Sequence, residues 1–166
     1  MSKKVYRFNP ELERGEYGEK IVDGYYSRRC EVEKATKAEQ FKGIDSKYTS
    51  KKTGELWTVQ IKTDFKSQIY GNLVFETISK VETNSPGWVH TCQADVLIYF
   101  RFYVAEIIGL MPDRIRRVLP DWKLHYREVP IKNEKWTTYG LLVPVDHVQR
   151  LAWWKTIIPC DYLQED

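Results

Sequence analysis

Long apolar runs are missing from this sequence. No stretch of about 18 or more apolar residues occurs, so nothing in it reads as a membrane-crossing helix and no membrane partner is expected. The start, Met1-Ser2-Lys3-Lys4, is charged and no apolar region follows, which gives no secretory signal pattern. Cysteine is scarce. Cys30, Cys92 and Cys160 are odd in number and far apart, so they form neither a disulfide framework nor a zinc pattern, and a reducing cytoplasm is the expected compartment. His90, His125 and His147 have no metal-ligand spacing, and no nucleophilic Cys or Ser arrangement stands out. Net charge is small, +3 from 26 basic and 23 acidic residues, so any basic surface must be local. Repeats, low-complexity tracts and internal linkers are absent from the pattern.

What is present is material for a core. The chain has 166 residues, 42% hydrophobic and 14% aromatic, with 6 Trp and 11 Tyr. That composition fits one folded domain over 1–166 and excludes disorder. Residues 1–14 read as an irregular arm with a turn at Asn9-Pro10. From Arg14 to Arg29 the apolar residues Tyr17, Ile21 and Tyr25 recur every four positions, widened by Val22 and Tyr26, which predicts an amphipathic helix. Glu19 falls at the edge of that stripe; Glu16, Lys20 and Asp23 fall on its open side. Strands are predicted at 30–34, 43–48, 56–63 and 72–79, with a loop or single turn over 35–42. Residues 94–100 read as a central buried strand, and 102–108 as a continuation of the sheet. A short helix is predicted over 111–119, closed by Pro120, then a strand over 138–143 and a helix over 145–151. Trp153-Trp154 and Ile157-Ile158 predict a docked tail.

The stretch from Gly43 to Asp64 organises the rest. A polar connection with one glycine, 49–55, joins two strands as a hairpin connection should. Thr58 to Lys62 alternates, so Gln60 and Lys62 project together while Val59 and Ile61 project the other way. The hairpin can bring Asp45 beside Gln60 and Lys62. A carboxylate, an amide oxygen and an ammonium in one place suit a divalent cation and a phosphate. Glu76 shares its strand face with apolar neighbours and needs a partner, either near a cation or in a salt bridge. Asp64 lies at a strand end and reads as structural.

This pattern resembles the PD-(D/E)XK nuclease superfamily. Asp45, Gln60 and Lys62 match its acidic, acidic-or-amide and lysine positions; Ile44 stands where a proline is usual, and Gln60 replaces the glutamate. The run around Glu19 is similar to the first helix of many such nucleases, and Asn84-Ser85-Pro86-Gly87-Trp88 followed by Ala94 to Phe100 resembles a subset of phage and bacterial proteins of that fold. The resemblance covers about residues 15–110. It implies an α/β restriction-endonuclease-like core over about 14–110, a central mixed β-sheet flanked by helices, with residues 111–166 as a C-terminal extension. It also implies Mg²⁺, with Mn²⁺ as a substitute, held by Asp45, Gln60, Glu19 and the Ile61 carbonyl, with Lys62 beside it as the catalytic ammonium. Small members include archaeal-type Holliday junction resolvases, so the resemblance implies a homodimer acting on branched DNA in the cytoplasm (a host's, if the chain is phage-encoded). A restriction-type, sequence-specific endonuclease and a catalytically degenerate nucleic-acid binder are the alternatives. Candidate DNA contacts are Lys47, Lys51 and Lys52 on the hairpin and Arg114, Arg116 and Arg117 on the short helix, with Lys132 and Lys135 beyond.

Overall fold

The computed structural model of the protein describes residues 10–133 and 135–162. Its elements in chain order are α1 (Pro10–Tyr26), β1 (Cys30–Lys34), α2 (Lys37–Gln40), β2 (Ser46–Ser50), β3 (Leu56–Asp64), α3 (Ser67–Tyr70) and β4 (Asn72–Lys80). There follow β5 (Ser85–Pro86), α4 (Trp88–Thr91), β6 (Val96–Arg101), β7 (Glu106–Leu110), α5 (Pro112–His125), β8 (Glu128–Lys132), β9 (Thr137–Pro144), α6 (Val145–Leu151) and β10 (Trp154–Ile157). The central sheet is mixed, in the order β1-β2-β3-β6-β7-β10. β1, β2 and β3 form an antiparallel meander, β6 lies parallel to β3, and β7 and β10 return antiparallel. The chain is thus an α/β protein with a mixed central sheet flanked by helices. Among the described residues no helix is long and apolar enough to cross a membrane.

The strand run that continues from β3 does not extend this sheet. β4 opens a second, antiparallel sheet in the order β5-β4-β9-β8. A parallel pair needs a long crossover, and the segment between β3 and β6 supplies it while pairing with β9 from the far end of the chain. The two faces of the central sheet therefore meet different layers. On one, Ile21 and Val22 of α1 pack on Val59, Ile61, Ile98 and Phe100. On the other, Leu73, Phe75, Leu141 and Val143 of the second sheet meet Leu97, Tyr99, Ile108 and Leu110, closed by Ile115, Leu119 and Trp122 of α5.

Four expectations change. Helix α1 begins at Pro10, not Arg14, and ends at Tyr26, where the Ser27 hydroxyl donates to the Gly24 carbonyl; the rest of the expected arm lies outside the described residues. Asp23 is buried rather than on an open side, because three donors satisfy it: Ser46 Oγ at 3.1 Å, Tyr48 OH at 2.7 Å and Lys34 Nζ at 2.8 Å. Residues 102–104 are a turn, with Ala105 at φ 51° letting β7 fold back on β6. Helix α5 runs through Pro120 to His125. An interior proline costs about 3 kcal/mol, and burial of Leu119 and Trp122 on both sides of it offsets that. Strand β8 was not legible: its pattern is mostly exposed and carries Pro130, as an edge strand allows.

Gly18 fixes the height of α1 above β3. A Cβ there would lie 1.9 Å from Thr63 Oγ1 and 2.7 Å from Thr63 Cβ. Gly18→Ala should destabilise by about 1–3 kcal/mol, although alanine improves helix propensity by about 1 kcal/mol. Calorimetry checks the sign, and a variant more stable than the parent contradicts the close approach.

Candidate active site

Asp45 stands immediately before β2 and is pinned to β3 on either side of Gln60. Its N–H donates to the Val59 carbonyl at 2.8 Å, and its Oδ2 accepts the Ile61 N–H at 2.7 Å. Where β2 has not yet begun, the carboxylate thus takes over one backbone partner. Gly43 makes this turn possible: its φ of 73° is left-handed, and a Cβ would come within 3.1 Å of both the Cys92 Cα and the Gln60 amide nitrogen. Gln60 is only 5% exposed, and its Oε1 has no hydrogen-bond partner among the described residues. A buried, partnerless acceptor is expensive.

Lys62, two residues on, is partly exposed. Its Nζ lies 5.6 Å from the centre of the Trp88 ring and makes no ion pair within 4.0 Å among the described residues. Its charge still acts on both neighbouring acids. Burial raises the Asp45 carboxyl, opposed by the Ile61 N–H and then by Lys62. Burial also raises the Glu76 carboxyl, opposed first by Lys62. Glu76 Oε1 accepts the Trp88 N–H at 3.3 Å. The Trp turn, whose role is not readable from the residues alone, thus positions the ring beside Lys62. Gly87 permits it, since a Cβ there would meet the Glu76 carbonyl oxygen at 2.2 Å. The legible signal was Asn84-Ser85-Pro86-Gly87-Trp88 itself; its packing on β4 was not.

Glu19 sits apart from this pairing. Its Oε2 accepts from Lys34 Nζ at 3.0 Å, and the same ammonium holds Asp23. Burial raises the Glu19 carboxyl, the Lys34 hydrogen bond opposes, and Asp45 adds to the rise, so the two acids feel each other. Asp64 is structural: its carboxylate accepts the Ser67 N–H at 2.8 Å and the Lys66 N–H at 3.3 Å.

The candidate DNA contacts divide. Lys47 is clamped between Glu33 at 2.9 Å and Glu39 at 3.3 Å, and Lys51 donates to the Ser27 carbonyl at 2.7 Å. Arg116 pairs with Asp113 at 2.6 Å and donates to the Cys92 carbonyl at 3.1 Å. Lys52, Arg114, Arg117, Lys132 and Lys135 are exposed.

Oxygen donors for a hard cation are present: the free oxygen of Asp45 and the orphaned Gln60 Oε1. Among the described residues no group of three or more His, Cys, Asp or Glu gathers to hold a metal. That excludes a ready-made cage but not Mg²⁺, which takes one or two carboxylates and fills its shell with water and substrate phosphate. No family model matches the chain, and neither a search of curated proteins nor one of solved structures returns a match.

Proposed function

We propose that this chain is a Mg²⁺-dependent DNA endonuclease with a restriction-endonuclease-like core, selective for branched DNA such as a four-way junction. The observation that carries the reading is Gln60: a buried amide oxygen with no hydrogen-bond partner among the described residues, two positions from Lys62, which makes no ion pair among them, and next to the Ile61 N–H that holds the Asp45 carboxylate. A bound cation would give that oxygen the partner it lacks. The expected order of an acidic helix, then Asp45, then Gln60-Ile61-Lys62 is carried by α1, the entry to β2, and β3.

Asp45 and Gln60 would supply the oxygen ligands, and Glu19 would join them, directly or through water, only after leaving Lys34. The cation, when bound, polarises the scissile phosphate and lowers the pKa of a water. Lys62 offers a compact charge to the developing negative oxygen and orients the attacking water. Burial raises the nearby carboxyls, so excess negative charge at the site is disfavoured until cations arrive. Exposed Lys52, Arg114 and Arg117 can hold phosphates without reading bases. A two-fold dimer would present two sites to opposed strands.

The test is cleavage of an immobile four-way junction against its four duplex arms, in Mg²⁺ and in Mn²⁺. Paired nicks on opposed strands, absent from the arms, are expected, with binding that weakens steeply with salt on every sequence. A fixed cut site in linear duplex instead selects a restriction-type enzyme. Junction binding without cleavage in either metal selects the degenerate binder.

A further inference from the structure

A cavity of about 300 Å³ opens on the α1 side of the central sheet, and none of the candidate nuclease residues lines it. Its floor is Val59, Val96 and Ile98; its walls are aromatic. Trp154 lies flat against Gly109, where a Cβ would sit 2.4 Å from the indole, and its Nε1–H donates to Tyr26 OH at 3.0 Å. That wall is fixed. Trp57 and Trp153 meet beside it with ring centres 5.1 Å apart at 45°. Trp153 is 46% exposed, a large apolar surface left open at the rim.

The charge at the rim is equally unused. Arg29 lines the cavity, is exposed, and has no carboxylate within 4.0 Å among the described residues. Its neighbours are committed elsewhere. Arg28 pairs with Asp161 at 3.8 Å and lies over the Tyr162 ring at 4.6 Å, and Lys51 donates to the Ser27 carbonyl. Among the described residues no carboxylate lines the cavity.

We infer that this cavity binds a small planar aromatic molecule carrying one anionic group, its ring against the indole walls and its anion on Arg29. The volume sits at the small end of ligand pockets, which excludes an extended ligand. Aromatic walls reward a ring beyond its area through offset and edge contacts, a gain that an alkyl chain does not collect. A cationic ligand would find the aromatic faces but also Arg29, with no acid to balance it. A guanidinium fork pairs with either a carboxylate or a phosphate, so both are tested.

Indole N–H resonances of the full-length chain are followed by NMR during titration with indole-3-acetate and with adenosine 5′-monophosphate. Indole-3-acetamide and adenosine are the uncharged counterparts, and hexanoate is the anion without a ring. Saturable shifts of the Trp57, Trp153 and Trp154 indoles are expected with at least one aromatic anion, and the arm that binds identifies carboxylate or phosphate. Its neutral counterpart and hexanoate should bind about tenfold more weakly or worse, the loss expected for one charged hydrogen bond. Arg29→Gln should reduce the anion to the affinity of its neutral counterpart, and Trp153→Ala should weaken both. Each replaces an exposed side chain, and an unchanged amide spectrum verifies the fold. The proposal is overturned by no saturable shift with either aromatic anion, by equal binding of the neutral counterpart or of hexanoate, or by unchanged affinity in Arg29→Gln. Because DNA cleavage is not the readout, these outcomes stand whatever the nuclease assay gives.

Discussion

Asp45→Asn should lose about 10³-fold in Mg²⁺-dependent cleavage and still melt no lower than the parent. The first half follows from its place as a carboxylate pinned to the Ile61 N–H of β3, next to Gln60. The second follows from burial. Asparagine keeps an oxygen for the Ile61 N–H, so the backbone contact survives. The Asp45 carboxyl is raised by burial above its ordinary value, so the folded state binds its proton more tightly than the unfolded state does. Stability therefore falls as pH rises from the unfolded value, about 3.9, through the folded one, and stays lower above it. At neutral pH the ionised Asp45 is a cost that the amide removes. The melting advantage of the variant should shrink below about pH 3.9, where the parent is protonated in both states. Mg²⁺ should raise the parent's Tm, by mass action on the folded form, and a chelator should reverse it; the variant should respond to neither. Cleavage at the parent's rate, or a Tm many degrees lower at pH 7, would remove Asp45 from the site and make it a structural anion.

Local periodicity made half of this arrangement legible. Tyr17, Ile21, Val22, Tyr25 and Tyr26 announced the face of α1 that packs on the sheet, because helical spacing alone puts them on one side. Thr58 to Lys62 announced β3, because alternation needs no knowledge of the partner strand. Asp45 could be placed near both because the hairpin connection is short. The rest depends on residues distant in sequence. β4 reads as one more strand of a single sheet until its pairing with β9, more than 60 residues on, is known. Asp23 reads as a solvent-facing acid until Ser46, Tyr48 and Lys34 surround it. The Lys62–Trp88 contact needs Gly87 against the backbone of β4, which no spacing rule reports. The orphaned oxygen of Gln60 is likewise a property of packing around Gly43 and Cys92, not of the glutamine itself.

Phe75→Ala should cost about 3–5 kcal/mol, a large part of the roughly 5–15 kcal/mol that holds a domain folded. Phe75 is fully buried on β4, and its ring meets three others: Trp122 of α5 at 5.1 Å, Trp88 at 5.5 Å and Tyr99 of β6 at 5.7 Å. One side chain thus joins both sheets and α5, and truncation leaves a void that Trp88, Tyr99 and Trp122 cannot close without leaving their own contacts. The expected drop in Tm is roughly 10 °C. Activity should follow by a separate route, because Trp88 also flanks the Lys62 ammonium. Phe75→Leu distinguishes the two effects: it refills most of the volume at a smaller cost, about 1–2 kcal/mol, yet removes the ring that braces Trp88. At temperatures well below its melting point that variant should cleave several-fold more slowly while binding DNA as the parent does, since the braced charge serves the transition state rather than affinity. A Phe75→Ala protein melting within about 2 °C of the parent, less than 1 kcal/mol for a chain this long, would mean that the two sheets do not share a core at this residue. Full cleavage by Phe75→Leu would mean that Trp88 is a neighbour of Lys62 and not its support.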